Sequence, residues 1–375
     1  MEPSAASFTT NVLWGGFALA FAFGALANRG NFCTMGAVSD VVNMGHWNRM
    51  RMWLLAMAVA MLGATALASS GLADLSKATV QRPVLPWLSL LVGGTAFGVG
   101  MTLAGGCANK NLVRLGGGSI RSLVTLLVMG ISAYMTLKGL FGQWRASWLD
   151  PVNIDLAAWG WKDQGLGTAV ARLTGTDAST ARWAAALALA VPLLVFVFKD
   201  RRFRQNYLQV LTGLCIGALV VGGWYVSGHL GYGENPETLE TVYFATNSRT
   251  IESLSFVGPV AYGLELLMLW TDKSLRPSFG IISAVGVVLG SLAMALSQRR
   301  FRWEGFASSF VDLRDHLVGA VLMGFGGVTA LGCTVGQGLS GISTLALGSF
   351  VAVAAIIGGA VATLKYQVWR AEREA

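Results

Sequence analysis

Nine apolar runs dominate this sequence, and each is close to the length that crosses a lipid bilayer. They cover residues 12–28, 53–72, 87–104, 119–141, 183–198, 208–227, 278–297, 316–331 and 345–365. A membrane-spanning helix needs about 20 consecutive apolar residues, and its backbone must satisfy its own hydrogen bonds. Only 12% of the 375 residues are charged, whereas soluble domains carry about 25%. The sequence therefore predicts an all-α polytopic membrane protein with about nine transmembrane helices.

The net charge of +8 comes mainly from short basic clusters between the apolar runs. With nine crossings in alternation, the clusters fall on one side of the membrane, at residues 49–51, 110–121, 199–204, 299–302 and 365–373. Lys and Arg collect in the cytoplasmic loops of membrane proteins. We therefore expect the N-terminus outside and the C-terminus in the cytoplasm, and a lipid bilayer rather than nucleic acid as the partner of this charge.

Two glycine-rich stretches resemble each other at an offset of 226 residues. Residues 92–107 read VGGTAFGVGMTLAGGC and residues 318–333 read VGAVLMGFGGVTALGC, with seven of sixteen positions identical. The two halves start on opposite faces of the membrane, as in the inverted repeats of transporters. We expect one transmembrane domain, with repeat 1 at about 8–141, a linker with a connecting span at about 142–205, and repeat 2 at about 206–366. A short apolar element after 31–33 and another after 255–257 are expected to be re-entrant.

Both glycine-rich stretches end in a Gly-Cys pair followed by polar side chains. A glycine-rich, non-helical backbone at membrane depth is costly unless it lines a cavity or is buried in protein, and its free N–H groups suit an anion. The candidate site residues of these turns are Gly106, Cys107, Asn109, Lys110, Gly332, Cys333, Thr334 and Gln337. The alternative is that each turn only ends a helix and that its cysteine packs as a small apolar residue.

A third thiol, Cys33, follows Arg29 just after the first apolar run. An arginine at that depth usually faces a bundle interior or an interface, although it can also extend to the headgroups. The fourth cysteine, Cys215, lies inside an apolar run and is expected to pack. The chain has no CxxC pair, so the spacing predicts neither a metal site nor a redox pair. Asp40 and Glu265 lie in the two short elements and are candidates for ion coupling or for interfacial positions.

A buried thiol in apolar surroundings stays protonated. It is then a weak, polarisable S–H donor, which suits a soft acceptor such as sulfur. Amide and basic donors beside it suit a hard anionic group. The combination predicts a ligand with a soft sulfur end and an anionic end.

These motifs resemble the YeeE/YedE family of bacterial and archaeal sulfur transporters, whose studied members take up thiosulfate. The resemblance covers nearly the whole chain and rests on Asn31-Phe32-Cys33, Gly105-Gly106-Cys107, residues 332–341 and Ser255-Phe256-Val257-Gly258-Pro259. The residues Ala108-Asn109-Lys110 after the first Gly-Gly-Cys resemble the YedE-like branch of the family.

The resemblance implies an hourglass-like protein of the bacterial inner membrane, with a periplasmic N-terminus. Thiosulfate or a similar small sulfur-containing anion would pass between the neutral thiols of Cys33, Cys107 and Cys333. The family implies no cofactor, no metal and no enzymatic activity, and it makes a cytoplasmic sulfur-carrier protein a candidate partner. Two alternatives stay open: transport of another sulfur or selenium species, and a membrane thiol oxidoreductase.

Overall fold

The computed structural model of the chain describes residues 5–234, 239–305 and 310–374. Its helices are α1 (Ala5–Arg29), α2 (Thr34–Met44), α3 (Asn48–Ser69), α4 (Trp87–Leu103), α5 (Ala108–Gly116), α6 (Ile120–Lys138), α7 (Leu140–Trp144), α8 (Leu166–Thr174), α9 (Ala178–Lys199), α10 (Arg201–Gln205), α11 (Tyr207–Tyr225), α12 (Val257–Met268), α13 (Phe279–Ser297), α14 (Phe310–Thr329) and α15 (Leu347–Glu374). Two small antiparallel pairs join β1 (Val84–Leu85) to β2 (Ile154–Asp155) and β3 (Tyr232–Glu234) to β4 (Thr241–Tyr243). Short π-helical turns cover Arg145–Leu149, Val226–Leu230 and Gly336–Gly341.

Eight segments of the described chain are long and apolar enough to cross a membrane. They correspond to eight of the nine predicted runs. The ninth run, 316–331, lies mostly in α14, a helix of 20 residues whose first two turns carry Asp312, Arg314 and Asp315. These charges make α14 less apolar than the other eight segments. It nevertheless packs against α4 and α6. The chain is therefore an all-α polytopic membrane protein, as the sequence predicts.

Contacts between the helices form matching pairs when the two halves of the chain are exchanged. Helix α1 packs on α13 as α11 packs on α3, α4 packs on α15 as α14 packs on α6, and α6 contacts α12 as α15 contacts α2. Each contact becomes its counterpart when α1, α2, α3, α4 and α6 are exchanged for α11, α12, α13, α14 and α15. An inverted repeat produces this pattern. The residue boundaries of the two repeats stay a prediction.

Glycines bring α4 and α14 together at the centre of this arrangement. A Cβ atom on Gly100 would lie 2.6 Å from the carbonyl oxygen of Gly319, and one on Gly319 would lie 2.6 Å from the carbonyl oxygen of Gly100. A Cβ atom on Gly326 would lie 2.5 Å from the carbonyl oxygen of Gly93. The contacts are reciprocal, as across a two-fold axis, and small residues allow such close packing in membranes. The helices run antiparallel, so the turns that follow them lie at opposite ends of the crossing.

The two predicted short elements are α2 and α12, and the acid in each has a cationic partner. Asp40 Oδ2 lies 3.1 Å from Arg49 Nε, and Glu265 Oε1 lies 2.5 Å from Lys138 Nζ. A paired carboxylate holds a helix in place and is not free to bind a proton or a sodium ion alone. The pairing favours a structural role for both acids over ion coupling.

The linker between the halves packs on the start of α15. Gln164 Nε2 donates to the Arg82 carbonyl at 2.6 Å, and Gln164 Oε1 accepts from the Gly348 N–H at 3.2 Å. The Leu166 N–H donates to the Leu345 carbonyl at 2.9 Å. The linker thus fixes the segment that follows the turn Gly336–Gly341.

Candidate functional site

Three buried thiols follow three helix ends that have the same backbone geometry. The residue two positions before each cysteine has a left-handed backbone: Asn31 (φ 52°), Gly105 (φ 64°) and Leu331 (φ 57°). The N–H directly before each cysteine bonds back into the helix, from Phe32 to the Ala27 carbonyl (3.1 Å), from Gly106 to Met101 (2.9 Å) and from Gly332 to Gly327 (2.8 Å). This is the Schellman helix cap. It places Cys33, Cys107 and Cys333 in equivalent local positions.

The Schellman caps change the role expected of the two candidate glycines. The N–H groups of Gly106 and Gly332 are used inside the caps, so neither is free to bind an anion. The glycines supply room instead: a Cβ atom on Gly332 would lie 3.1 Å from Gln337 Cγ. N–H groups for an anion would have to come from the short helices that follow the caps, where the first turn leaves such groups unpaired.

Two of the thiols also cap the short element that they begin. Cys33 Sγ accepts from the Gly36 N–H at 3.3 Å, and Cys333 Sγ accepts from the Gly336 N–H at 3.4 Å. The backbone N–H occupies a lone pair of each sulfur and leaves the S–H hydrogen to donate elsewhere. Both thiols are thereby oriented as donors.

Cys107 lies between the other two thiol-bearing turns. Its thiol lies close to the Cys33 thiol and to the side chain of Thr334, the residue next to Cys333. All of these side chains are buried, and the cysteines are free thiols. The fold therefore brings the thiols of Cys33 and Cys107 together and places them close to the turn that carries Cys333. Cys215 lies apart from this cluster, within α11, and is partly exposed.

Four polar atoms near the thiols are buried without a well-formed hydrogen bond among the described residues. They are Thr34 Oγ1, Asn109 Oδ1, Thr334 Oγ1 and Gln337 Oε1. An unpaired buried polar group costs about 1–3 kcal/mol, so the cluster is organised for a polar ligand. The hydroxyls can donate to an anion, and the amide oxygens can accept from a thiol. Gln337 also donates from Nε2 to the Ala330 carbonyl at 2.7 Å, which ties its turn to the end of α14.

Basic side chains surround the turn of Cys107. Lys110 Nζ donates to Asn31 Oδ1 at 2.6 Å, and Arg114 donates from a terminal nitrogen to the Gly105 carbonyl at 2.9 Å. Lys110 therefore joins the turn of Cys107 to the turn of Cys33. Arg29, by contrast, ends α1 with an exposed side chain, and the basic groups nearest the thiols are on α5.

Three further residues belong to the site and were not predicted from the sequence: Thr34, Arg49 and Arg114. A shared motif marks the first, because residues 33–36 read Cys-Thr-Met-Gly and residues 333–336 read Cys-Thr-Val-Gly. The guanidinium of Arg49 approaches within 2.6 Å of a Cβ placed on Gly36, one turn after Cys33. Nothing local in the sequence marks Arg49, since it reaches the site from the start of α3.

A cavity of about 360 Å³ opens beside the turn of Cys333. Its floor includes Gly332, Gly336 and Ser340, and its walls include Arg145 and Tyr262. A water molecule occupies about 30 Å³ in the liquid, so the cavity has room for a small hydrated anion. No group of three His, Cys, Asp or Glu side chains in the described residues could hold a metal ion.

Comparison with known proteins identifies the family of the chain. The model of the family described as "Sulphur transport" matches residues 29–362. The chain belongs to this family, the YeeE/YedE family of the sequence prediction. It is 27% identical to the thiosulfate transporter TsuA of Spirochaeta thermophila over 91% of this chain and 94% of that protein. It is 27% identical to the thiosulfate transporter TsuA of Escherichia coli over 84% of this chain and 83% of that protein. The family prediction is confirmed, and the placement in the YedE-like branch stays a prediction.

Proposed function

We propose that this chain takes up thiosulfate, or a similar small sulfur-containing anion, across the bacterial inner membrane. The observation that carries the proposal is the position of Cys107, whose buried thiol lies close to both the Cys33 thiol and the side chain of Thr334. S–H and O–H donors thus form a row that links two turns from opposite ends of the crossing of α4 and α14. The names of the two relatives support thiosulfate as the cargo.

In this mechanism the anion moves by exchanging hydrogen bonds. Its terminal sulfur accepts the S–H of Cys333, then of Cys107, then of Cys33, while its oxygens accept from the Thr334 hydroxyl and from Lys110. No covalent bond forms or breaks and no electron moves, because each thiol acts only as a hydrogen-bond donor to the anion. Asn109 and Gln337 keep the intervening turns polar, and Gly106 and Gly332 leave space for the anion.

Orientation is part of the proposal. The basic clusters of the loops place the N-terminus in the periplasm and the C-terminus in the cytoplasm. The cavity beside Cys333 then faces the periplasm, and Lys110 lies toward the cytoplasm. A fluorescent protein fused after residue 375 should fluoresce, and alkaline phosphatase fused before residue 1 should be active. The reverse pattern would contradict this orientation.

Uptake of ³⁵S-thiosulfate tests the function. The assay uses cells that lack their own thiosulfate carriers and express this chain. We expect uptake by the wild type and its loss in Cys107→Ala and Cys333→Ala, with Cys215→Ala unaffected. Unchanged uptake in the first two variants would refute passage along thiols. Competition by selenosulfate would show whether a selenium species is also carried.

The thiol oxidoreductase alternative makes a separate prediction. Since Cys33 and Cys107 interact, such an enzyme would form a disulfide between them during turnover. Acid quenching followed by thiol alkylation and mass spectrometry would detect it. Our proposal expects both thiols to stay reduced while thiosulfate is taken up.

We also propose that the released anion is passed to a cytoplasmic sulfur-carrier protein. The family resemblance motivates this partner. Co-expression of such a carrier should raise uptake of ³⁵S-thiosulfate, and the two proteins should purify together in mild detergent. A carrier that neither raises uptake nor binds would remove this part of the proposal.

A further inference from the structure

Two basic side chains share one face of α5. Lys110 and Arg114 are four residues apart, a spacing that stacks side chains on successive turns of a helix. Like charges at this spacing destabilise a helix by about 0.2–0.5 kcal/mol. Both side chains are half-buried, so solvent screens their repulsion only in part.

Neither cation has a counter-charge in the described part of the chain. Lys110 Nζ and the Arg114 guanidinium donate to uncharged oxygens, those of the Asn31 side chain and the Gly105 backbone. Five other basic residues near helix ends pair with carboxylates: Arg49 with Asp40, Arg51 with Asp200, Arg121 with Asp312, Lys138 with Glu265 and Arg145 with Asp150. A half-buried cation without a counter-charge carries part of the cost of burying a charge, so this pair is available to an anion from outside the chain.

Geometry places the pair over the residue that precedes Cys107. A Cβ atom on Gly106 would lie 3.1 Å from Lys110 Cγ and 3.6 Å from a terminal nitrogen of Arg114. Both side chains therefore cover the residue just before Cys107. An anion with its sulfur between Cys33 and Cys107 would direct its oxygens to these two cations.

We propose that Lys110 and Arg114 form a subsite for the oxyanion end of the cargo, and that this subsite selects doubly charged sulfur oxyanions over singly charged sulfur anions. The proposal rests on the proposed transport, and it adds that the number of negative charges on an anion determines whether it is preferred as cargo. Two cations with no acid between them match two negative charges, whereas one negative charge would leave a cation unpaired. The thiols bind the soft sulfur atom, and Lys110 and Arg114 of α5 bind the negatively charged oxygens.

The test compares two anions with a soft sulfur end. Thiosulfate carries two negative charges and thiocyanate carries one. Uptake of ³⁵S-thiosulfate and its inhibition by thiocyanate are measured for the wild type, Lys110→Gln, Arg114→Gln and Arg114→Lys. We expect each glutamine variant to lose roughly tenfold of the preference for thiosulfate, the size of one charge-assisted hydrogen bond. Arg114→Lys, which keeps the charge, should retain most of the preference.

A matched control removes a charge at the same end of the molecule. Arg314 lies near the start of α14 and is already paired with Asp315, so Arg314→Gln should leave the preference unchanged. If the glutamine variants of α5 keep the wild-type preference while they still transport, the subsite is refuted. If they fail to fold, Arg114→Lys and Lys110→Arg decide the question, because a loss of preference in these variants with the charge intact would also refute it. A wild type that takes up no thiosulfate would instead refute the proposed function.

An anionic lipid headgroup could supply the same negative charge. Proteoliposomes of zwitterionic lipid, with and without added phosphatidylglycerol, separate the two sources. We expect the preference for thiosulfate in both preparations. A preference that depends on phosphatidylglycerol would assign the cations to a headgroup and overturn the subsite.

Discussion

The two ends of the thiol cluster have the same backbone and different surroundings. Cys333 and Cys107 both follow a Schellman cap at the end of a long helix. Beside Cys333 lies a cavity of about 360 Å³, whose basic residue Arg145 is paired with Asp150. Beside Cys107 lie two cations without a paired acid in the described residues. The repeated backbone supplies the geometry, and individual side chains supply a different charge at each end.

This difference fits the energetics of anion uptake. With the orientation proposed above, the membrane potential opposes entry of a dianion by about 2.3 kcal/mol for each charge and each 100 mV. Positive charge at the inner end lowers the energy of the anion where the opposing potential is largest. A roomy outer end, whose Arg145 is already paired with Asp150, admits the anion without holding it. The cations do not change the overall free energy of uptake, but they lower the energy barrier that the anion meets at the inner end of its path.

The strongest test of the comparison removes the thiol of Cys107, which belongs to the inner end and lies close to the turn of the outer end. Cys107→Ser keeps a small donor but replaces the soft sulfur, and Cys107 is the thiol that lies close to both Cys33 and Thr334. We expect a fall in the uptake rate of about 100-fold, the upper end of the roughly 1.5–3 kcal/mol that a hydrogen bond to a charged ligand contributes. Cys333→Ser, which removes a contact at one end, should cost less. Uptake of ³⁵S-thiosulfate per molecule of folded carrier measures both.

Equal losses in the two serine variants would show that the ends act as one unit and not in sequence. Cys215→Ser is the control, because Cys215 lies in α11 away from the cluster. It should retain wild-type uptake.

A second test concerns the close packing of α4 against α14, because a change there displaces the turns at both ends. Gly319→Ala places a methyl group 2.6 Å from the Gly100 carbonyl oxygen. Forcing a helix outward in a packed interior costs about 1–3 kcal/mol, so we expect a lower melting temperature in detergent and weaker uptake. Gly358→Ala is the matched control, since no atom lies within 4 Å of a Cβ at that position in α15. A drop of similar size in both variants would mean that the crossing is not what couples the two ends.

The architecture could be predicted from the sequence because membrane insertion imposes a length and a polarity on each helix. The runs at 208–227 and 278–297 match α11 (Tyr207–Tyr225) and α13 (Phe279–Ser297) within a few residues. The charged first turns of α14 were harder to interpret, because three charges lie in a helix that packs on other helices. The contacts between helices were not predictable, since they depend on which glycines face each other.

The thiols were predictable, and their arrangement was only partly so. Glycine beside cysteine marked two of the turns, but the residue directly before Cys33 is Phe32, so the third equivalent cap had no such glycine to show it. The free N–H groups expected of Gly106 and Gly332 are used inside the caps. Arg114 escaped notice because a basic residue near a helix end is usually an interfacial charge.

A third test concerns the hydroxyl that connects the two ends. Thr334→Val keeps the shape of the side chain and removes the Oγ1 atom that has no well-formed hydrogen bond in the described residues. We expect uptake to fall roughly tenfold, because a hydrogen bond to a charged ligand is worth about 1.5–3 kcal/mol. Thr334→Ser should restore most of the rate. Thr34→Val, the same change in the other Cys-Thr-x-Gly motif, should have the smaller effect, and the opposite ranking would contradict the central position of Thr334.

The smallest effect is expected at the outer cavity, where pH should change the affinity for the anion. Glu252 lines the cavity, accepts from the Ser248 N–H at 2.7 Å, and has a pKa that burial raises above the ordinary glutamate range. As the external pH falls, Glu252 therefore takes up a proton sooner than an exposed glutamate. The cavity then loses a negative charge, while Arg145 stays charged and thiosulfate keeps both of its charges. The KM for thiosulfate should therefore decrease as the external pH falls.

Glu252→Gln isolates this contribution, because it keeps an oxygen to accept from Ser248 and removes the charge. We expect a KM at neutral pH about two- to fivefold below that of the wild type, since a partly screened charge contributes roughly 0.2–1 kcal/mol. The pH dependence of the KM should flatten in the same variant, and the maximal rate should not change, because the cavity precedes the thiols. If Glu252→Gln keeps the wild-type pH profile, the outer end does not respond to charge, and charge then acts on the anion only at the end held by Lys110 and Arg114.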